Sequence, residues 1–130
     1  MGLGTHYQNA VLNALLVGST TALPAAWALA LCSTAPTDAS FVEPGTGSGY
    51  TAQTMPFPAV PGGTTGSVTN TVAATFGPFS SSITISGAGI KDTAATGGNN
   101  VFNGTLATAA TLTPGESLIF AIGSLSCSVA

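Results

Sequence analysis

A chain of 130 residues holding one Lys or Arg, four acids, one His and a net charge of −3 is long enough for one domain and poor in reactive groups. Only 4% of its residues are charged, against about a quarter in an ordinary soluble domain. This excludes nucleic acid as a partner, since phosphate binding draws on Lys and Arg, and it removes the titratable clusters that side-chain acid–base catalysis needs.

A surface this neutral associates rather than staying apart in solution, so a structural subunit of a larger assembly is expected, with no enzymatic activity and no cofactor. The most apolar stretch, Ala10 to Cys32, is broken by Gly18-Ser19-Thr20-Thr21 and again by Pro24. Neither half spans a bilayer, so no membrane partner is expected. No Lys or Arg near Met1 supplies the positive region of a secretory signal.

In chain order, Thr5-His6-Tyr7-Gln8 fits a capping box with Thr5 as N-cap, and Tyr7, Val11, Ala14 and Leu15 recur at helical spacing up to a stop at Gly18. This short helix is marginal alone. Leu12, Leu15, Leu16 and Val17 offer more apolar surface than it covers itself, which makes them the candidate docking residues. The division expected is a helical arm over 1–23 and a β-domain over 24–130.

After Pro24 the period changes to two. Trp27, Leu29 and Leu31 alternate with Ala26, Ala28, Ala30 and Cys32, predicting a strand packed on both faces. A loop from Ser33 to Ser48 follows, then a strand from Tyr50 to Phe57 whose Pro56 and Pro58 suit a sheet edge. Pro61-Gly62-Gly63 reads as a turn. Ser67 to Phe76 alternates over its whole length and predicts one strand, closed by Gly77-Pro78. Ser82 to Ile90 is the next, with Ile83 and Ile85 inward and Gly87 and Gly89 marking a bulge or a close backbone approach. A turn region from Asp92 to Asn100 leads into a hairpin partner over Asn100 to Leu106. Thr113-Pro114-Gly115-Glu116 has the residues of a type II turn, and Ser117 to Val129, apolar on both faces, predicts a central strand. Together these give an all-β fold, one β-sandwich or jelly roll of six to eight antiparallel strands with a short helix in front.

The candidate chemical groups read as structural. Asp38, Glu43, Asp92 and Glu116 are expected as solvated loop acids. His6 is a lone imidazole, and no metal site is expected because the His, Cys and carboxylate ligands are too few. Gly45-Thr46-Gly47-Ser48-Gly49 lacks the lysine and following helix of a phosphate loop. Asn103-Gly104-Thr105 matches the glycosylation pattern without a secretory signal to give it meaning. Cys32 and Cys127 read as small buried hydrophobes, with a disulfide between the first and last strands as the alternative. Asp92 is placed to accept backbone N–H groups of its own turn, with Gly97 and Gly98 supplying positive φ.

From Trp27 onward the order of motifs resembles small virion structural proteins of tailed bacteriophages. The stretches that carry the resemblance are Leu29 to Thr37, Gly49 to Gln53, Val68 to Phe76, Gly89 to Asn99 and Pro114 to Leu118. The chain departs from that pattern at Thr51-Ala52-Gln53, where a basic residue is usual, and at Lys91, where an aromatic is common. The resemblance implies a virion component whose partners are the major capsid protein or other virion proteins. The leading expectation is a head decoration or cement protein assembling as a homo-oligomer, a trimer in the first place. The alternative is a tail fibre, collar or baseplate appendage. A carbohydrate-binding module is a third reading, with Tyr50, Phe41 and Phe57 as the aromatics a sugar would need.

Overall fold

The computed structural model describes residues 2–20, 27–58, 66–95 and 97–128. The expectations for Pro24, Ala26, the turn at 61–63, Thr96 and Val129 lie outside the described residues. Among these there is one α-helix, α1 (Thr5–Leu16), and nine strands: β1 (Gly2–Leu3), β2 (Ala28–Cys32), β3 (Gln53–Thr54), β4 (Ser67–Thr69), β5 (Ala74–Phe76), β6 (Ile83–Lys91), β7 (Asn100–Leu112), β8 (Leu118–Phe120) and β9 (Ser126–Ser128). β1, β7, β6, β2 and β3 form one sheet in that order, while β4 pairs with β9 and β5 with β8. Every pairing is antiparallel. The chain is a small all-β domain with a short helix in front, as its strand spacing predicts.

Alternation in β2 explains how the layers stack. Leu29 and Leu31 lie in register with Ile90 and Ala88 of β6, and Ala28, Ala30 and Cys32 lie in register with Lys91, Gly89 and Gly87. One face therefore carries large side chains and the other small ones. All five residues of β2 are buried, so both faces are covered. The large face meets the ribbons, where Trp27, Phe57, Val68, Ile90, Phe102 and Cys127 border a common apolar space. Burying Leu29 and Leu31 completely is worth roughly 1.5–3 kcal/mol each.

The small face is covered by the loop that follows β2. A Cβ at Gly87 would overlap the Pro36 ring, and one at Gly89 would overlap Phe41. These two glycines thus mark a close approach of chain to sheet. Gly87 also borders an irregularity, since Ile85 opposes Ala110 while Gly87 opposes Thr105. Both meanings that a strand glycine can carry are realised here.

Two long strand expectations divide in the structure. Ser67 to Phe76 separates into β4 and β5, and Ser117 to Val129 into β8 and β9, so the latter is no central strand. Ile119 and Ile122 are exposed. Both runs break beside one residue, Asn70. Its Nδ2 donates to the carbonyls of Val72 and Ala121, its Oδ1 accepts from Leu125 N–H, and its own carbonyl accepts from Gly123 N–H. Gly123 has φ 77° and turns the second run at the same level. A buried carboxamide that satisfies three backbone groups, beside a main-chain carbonyl that takes a fourth, makes a corner more favourable than a continuous ladder.

Other departures are smaller. The Tyr50 to Phe57 strand shortens to β3, which does sit at the sheet edge, whereas β7 runs on to Leu112. The capping box does not form: Gly4 is the N-cap and makes no side-chain cap bond. Gln8 instead donates to the Leu3 carbonyl and to Asp38. Gly18, at φ 71°, ends the helix as expected. β1 pairs with β7, and Tyr7 enters the core cluster, so the N-terminal residues are tied to the sheet.

Candidate functional site

Four of the five charged residues, Asp38, Glu43, Lys91 and Asp92, collect where α1, the loop after β2 and the turn between β6 and β7 meet over the small-residue face. Lys91 comes from the end of β6, where the alternation that places Gly87 and Gly89 under the loop also points its side chain inward. It is 3% exposed and forms an ion pair with Glu43. Its ammonium also donates to the Ala95 carbonyl. Glu43 accepts from the Tyr50 hydroxyl at 2.8 Å, and that hydroxyl accepts from Leu31 N–H at 3.1 Å. An unbroken relay thus links β6, the loop and β2.

A second set holds the helix. Asp92 accepts from Asn99 N–H and Asn99 Nδ2, both at 2.8 Å, and from the Tyr7 hydroxyl at 3.1 Å. Gly97 and Gly98 have φ of 91° and 79°. Asp38 accepts from Gln8 and Asn103 through its carboxylate and from Thr5 N–H through its carbonyl. Glu116 accepts from Thr113 N–H at 2.6 Å and closes its own turn. Asp38 and Glu116 are exposed, as the expectation of solvated loop acids has it, and Glu43, 17% exposed in its ion pair with Lys91, is the acid that departs from it. In a chain so short of charge, the few ionic groups give most as strong acceptors for neutral donors.

The titration behaviour follows from these contacts. Burial, and then the Asp92 carboxylate, push the Tyr7 hydroxyl up to about 12. Burial opposes ionisation of Asp92, but the bonds from Asn99 and Tyr7 outweigh it and hold the carboxyl below its ordinary 3.8. A carboxyl that is more acidic when folded stabilises the fold above its unfolded pKa and loses that contribution as pH falls through and below 3.8. The group is largely solvated, so the loss is about 1 kcal/mol or less. Thermal melts between pH 6 and pH 2.5 should show this acid decline, and Asp92→Asn should flatten part of it. Glu116, held low by Thr113 N–H, titrates in the same direction and keeps the rest. An undiminished decline in Asp92→Asn would refute the assignment.

The cysteines form no disulfide, and both are buried. Burial first, and then the Glu43 charge, push the Cys32 thiol up to about 12, which keeps it protonated and unreactive. Among the described residues no three His, Cys, Asp or Glu groups converge as metal ligands, and no helix is long and apolar enough to cross a membrane. His6 is exposed and lies edge-on to Tyr7. The aromatics offered for sugar stacking are committed to packing: Tyr50 is buried and stacked on Phe76, Phe41 covers Gly89, and Phe57 packs against the core.

The helix shows the opposite character. Leu12, Leu15, Leu16 and Val17 are 53%, 76%, 79% and 75% exposed, and Val11 beside them is also exposed. The helix carries no charged residue, neither acidic in its first turn nor basic in its last. Residues spaced by three and four thus present a neutral apolar stripe.

Sequence reasoning missed the Glu43–Lys91 pair and the corner at Asn70. One signal for the pair was present, a lone lysine in phase with two glycines on a strand.

No curated protein is significantly similar to the chain. A protein family described as podophage GP4 fiber I protein gp80 matches residues 2–128. With all but its extreme ends matched, the chain belongs to this family of phage virion structural proteins.

Proposed function

We propose that the chain is a subunit of a fibre-type appendage of the virion, and that copies of it associate through the apolar stripe of α1. The observation that supports this reading is the largely exposed row Leu12, Leu15 and Leu16, continued by the C-cap Val17, on a helix otherwise anchored by Tyr7, in a chain of a fibre family. Pairs at i,i+3 and i,i+4 form a seam of the kind that helices bury against one another, and a 12-residue helix gains stability from such packing. The absence of charge removes like-charge repulsion between copies and so favours self-association, with a trimer as the expected state. The family description favours this role over cementing of the head shell.

Light scattering of the purified chain is expected to give an oligomer at micromolar concentration. Leu15→Asp/Leu16→Asp should give a folded monomer with unchanged β-sheet circular dichroism. A wild-type monomer, or an oligomer untouched by the double substitution, would remove the helix from the interface. Cryo-EM density for the chain on the head lattice instead of a tail appendage would overturn the fibre reading and return the protein to decoration.

A further inference from the structure

The apolar stripe of α1 has a complement on the opposite face of the sheet. Trp27, Phe57, Val68 and Phe102 wall a groove of about 240 Å³ whose floor is Ile90 and Cys127. The four wall residues are half-buried, packed on the core by one side and bordering the groove by the other. None of the five charged residues lines it.

Size and chemistry fit the stripe. An engineered Leu→Ala cavity measures about 150 Å³, so a groove of about 240 Å³ admits one to two leucine side chains. Leu12 stands three and four residues before Leu15 and Leu16, which puts these exposed leucines on one side of the helix. With no charge on either surface, neither meets repulsion or leaves an ion desolvated on contact.

One molecule cannot join the two surfaces. α1 is tied by Tyr7 and Gln8 to Asp92 and Asp38, beside the loop whose Pro36 and Phe41 cover the small-residue face. Ile90 and Phe102, in register with each other, belong to the large face. The stripe of one copy therefore reaches only the groove of another. A contact between unlike patches is heterologous: it repeats from copy to copy until a ring closes, or runs on as a filament. A ring of three, the state expected above, needs such a contact, since a threefold axis joins unlike patches of neighbouring copies. We propose that the leucines of α1 dock in the groove between Trp27, Phe57, Val68 and Phe102 of the next copy, so that copies join head to tail. The inference rests on the reading of α1 as the self-association element and adds the surface that receives it.

The test mixes two complementary variants of the full chain. Leu15→Asp/Leu16→Asp removes the stripe and keeps the groove, whereas Val68→Glu places a carboxylate in the groove and keeps the stripe. Each alone is expected to be a monomer with the circular dichroism of the wild type. An equimolar mixture should give a one-to-one heterodimer in light scattering, at least tenfold tighter than either variant with itself, because one intact stripe and one intact groove remain. Pro58→Glu, at an exposed position on the groove wall, should also weaken self-association at least tenfold, and it takes the place of Val68→Glu if that variant does not fold. Groove variants that assemble like the wild type would overturn the proposal and leave α1 against α1 as the interface. A mixture that stays monomeric would overturn the head-to-tail contact. Oligomers of Leu15→Asp/Leu16→Asp alone would instead refute the reading of α1 on which the proposal rests.

Discussion

Glu43→Leu should lower the unfolding free energy by about 3–5 kcal/mol, because it strands a buried ammonium. Lys91 is 3% exposed, and its remaining acceptor would be the Ala95 carbonyl. The Tyr50 hydroxyl would also lose the carboxylate to which it donates. Glu43 keeps 17% exposure, so Lys91→Met, which leaves a carboxylate in partial contact with water, should cost less than the reverse change. The double variant Lys91→Met/Glu43→Leu should recover most of the loss, since two apolar groups of similar size leave no uncompensated charge. Urea unfolding of the four proteins forms a double-mutant cycle that reads the coupling directly. Additive effects, or a single-variant cost under about 1 kcal/mol, would mean that the pair does not organise the loop.

Gly89→Val should be as damaging for a different reason. A Cβ at residue 89 would overlap the Phe41 ring and crowd the Phe102 carbonyl of the neighbouring strand. A ring can yield, but a carbonyl fixed in a ladder cannot. A loss of at least about 3 kcal/mol, or failure to fold, is expected, at or above the upper end of ordinary overpacking. Gly45→Ala is the matched control: Gly45 lies in the same loop with φ −64°, and a Cβ there meets nothing within 4 Å. That change should be neutral or stabilise by up to about 1 kcal/mol through the unfolded chain. Equal stability of Gly89→Val and wild type would show that the loop does not lie on the sheet.

What sequence could disclose, and what it could not, follows from the range of the forces involved. Leu29 and Leu31 against Ala28, Ala30 and Cys32 announced a strand covered on both sides, since burial is written into alternation. Gly87 and Gly89 announced a close approach without naming Pro36 and Phe41 as the groups approaching. The run from Ser67 to Phe76 looked continuous because Asn70 falls in phase with Val68 and Val72. Its corner depends on Ala121, Gly123 and Leu125, some fifty residues away, and no local pattern carries that. Thr5 and Gln8 had the chemistry of a capping box, but Asp38 outcompeted the local partner for Gln8. In the candidate site, the exposed stripe of α1 could be read from spacing. The Glu43–Lys91 pair could not, since its partners lie 48 residues apart.

The burial of Lys91 has one further consequence. It is the only lysine or arginine in these 130 residues, so the chain contains a single peptide bond that trypsin recognises. That bond lies at the end of a strand paired on both sides, with the specificity side chain locked in an ion pair. Local fraying of loops, however extensive, exposes no second target. Tryptic cleavage of this chain is therefore a report on opening of the sheet itself, and its rate under mild conditions measures the population of that open state.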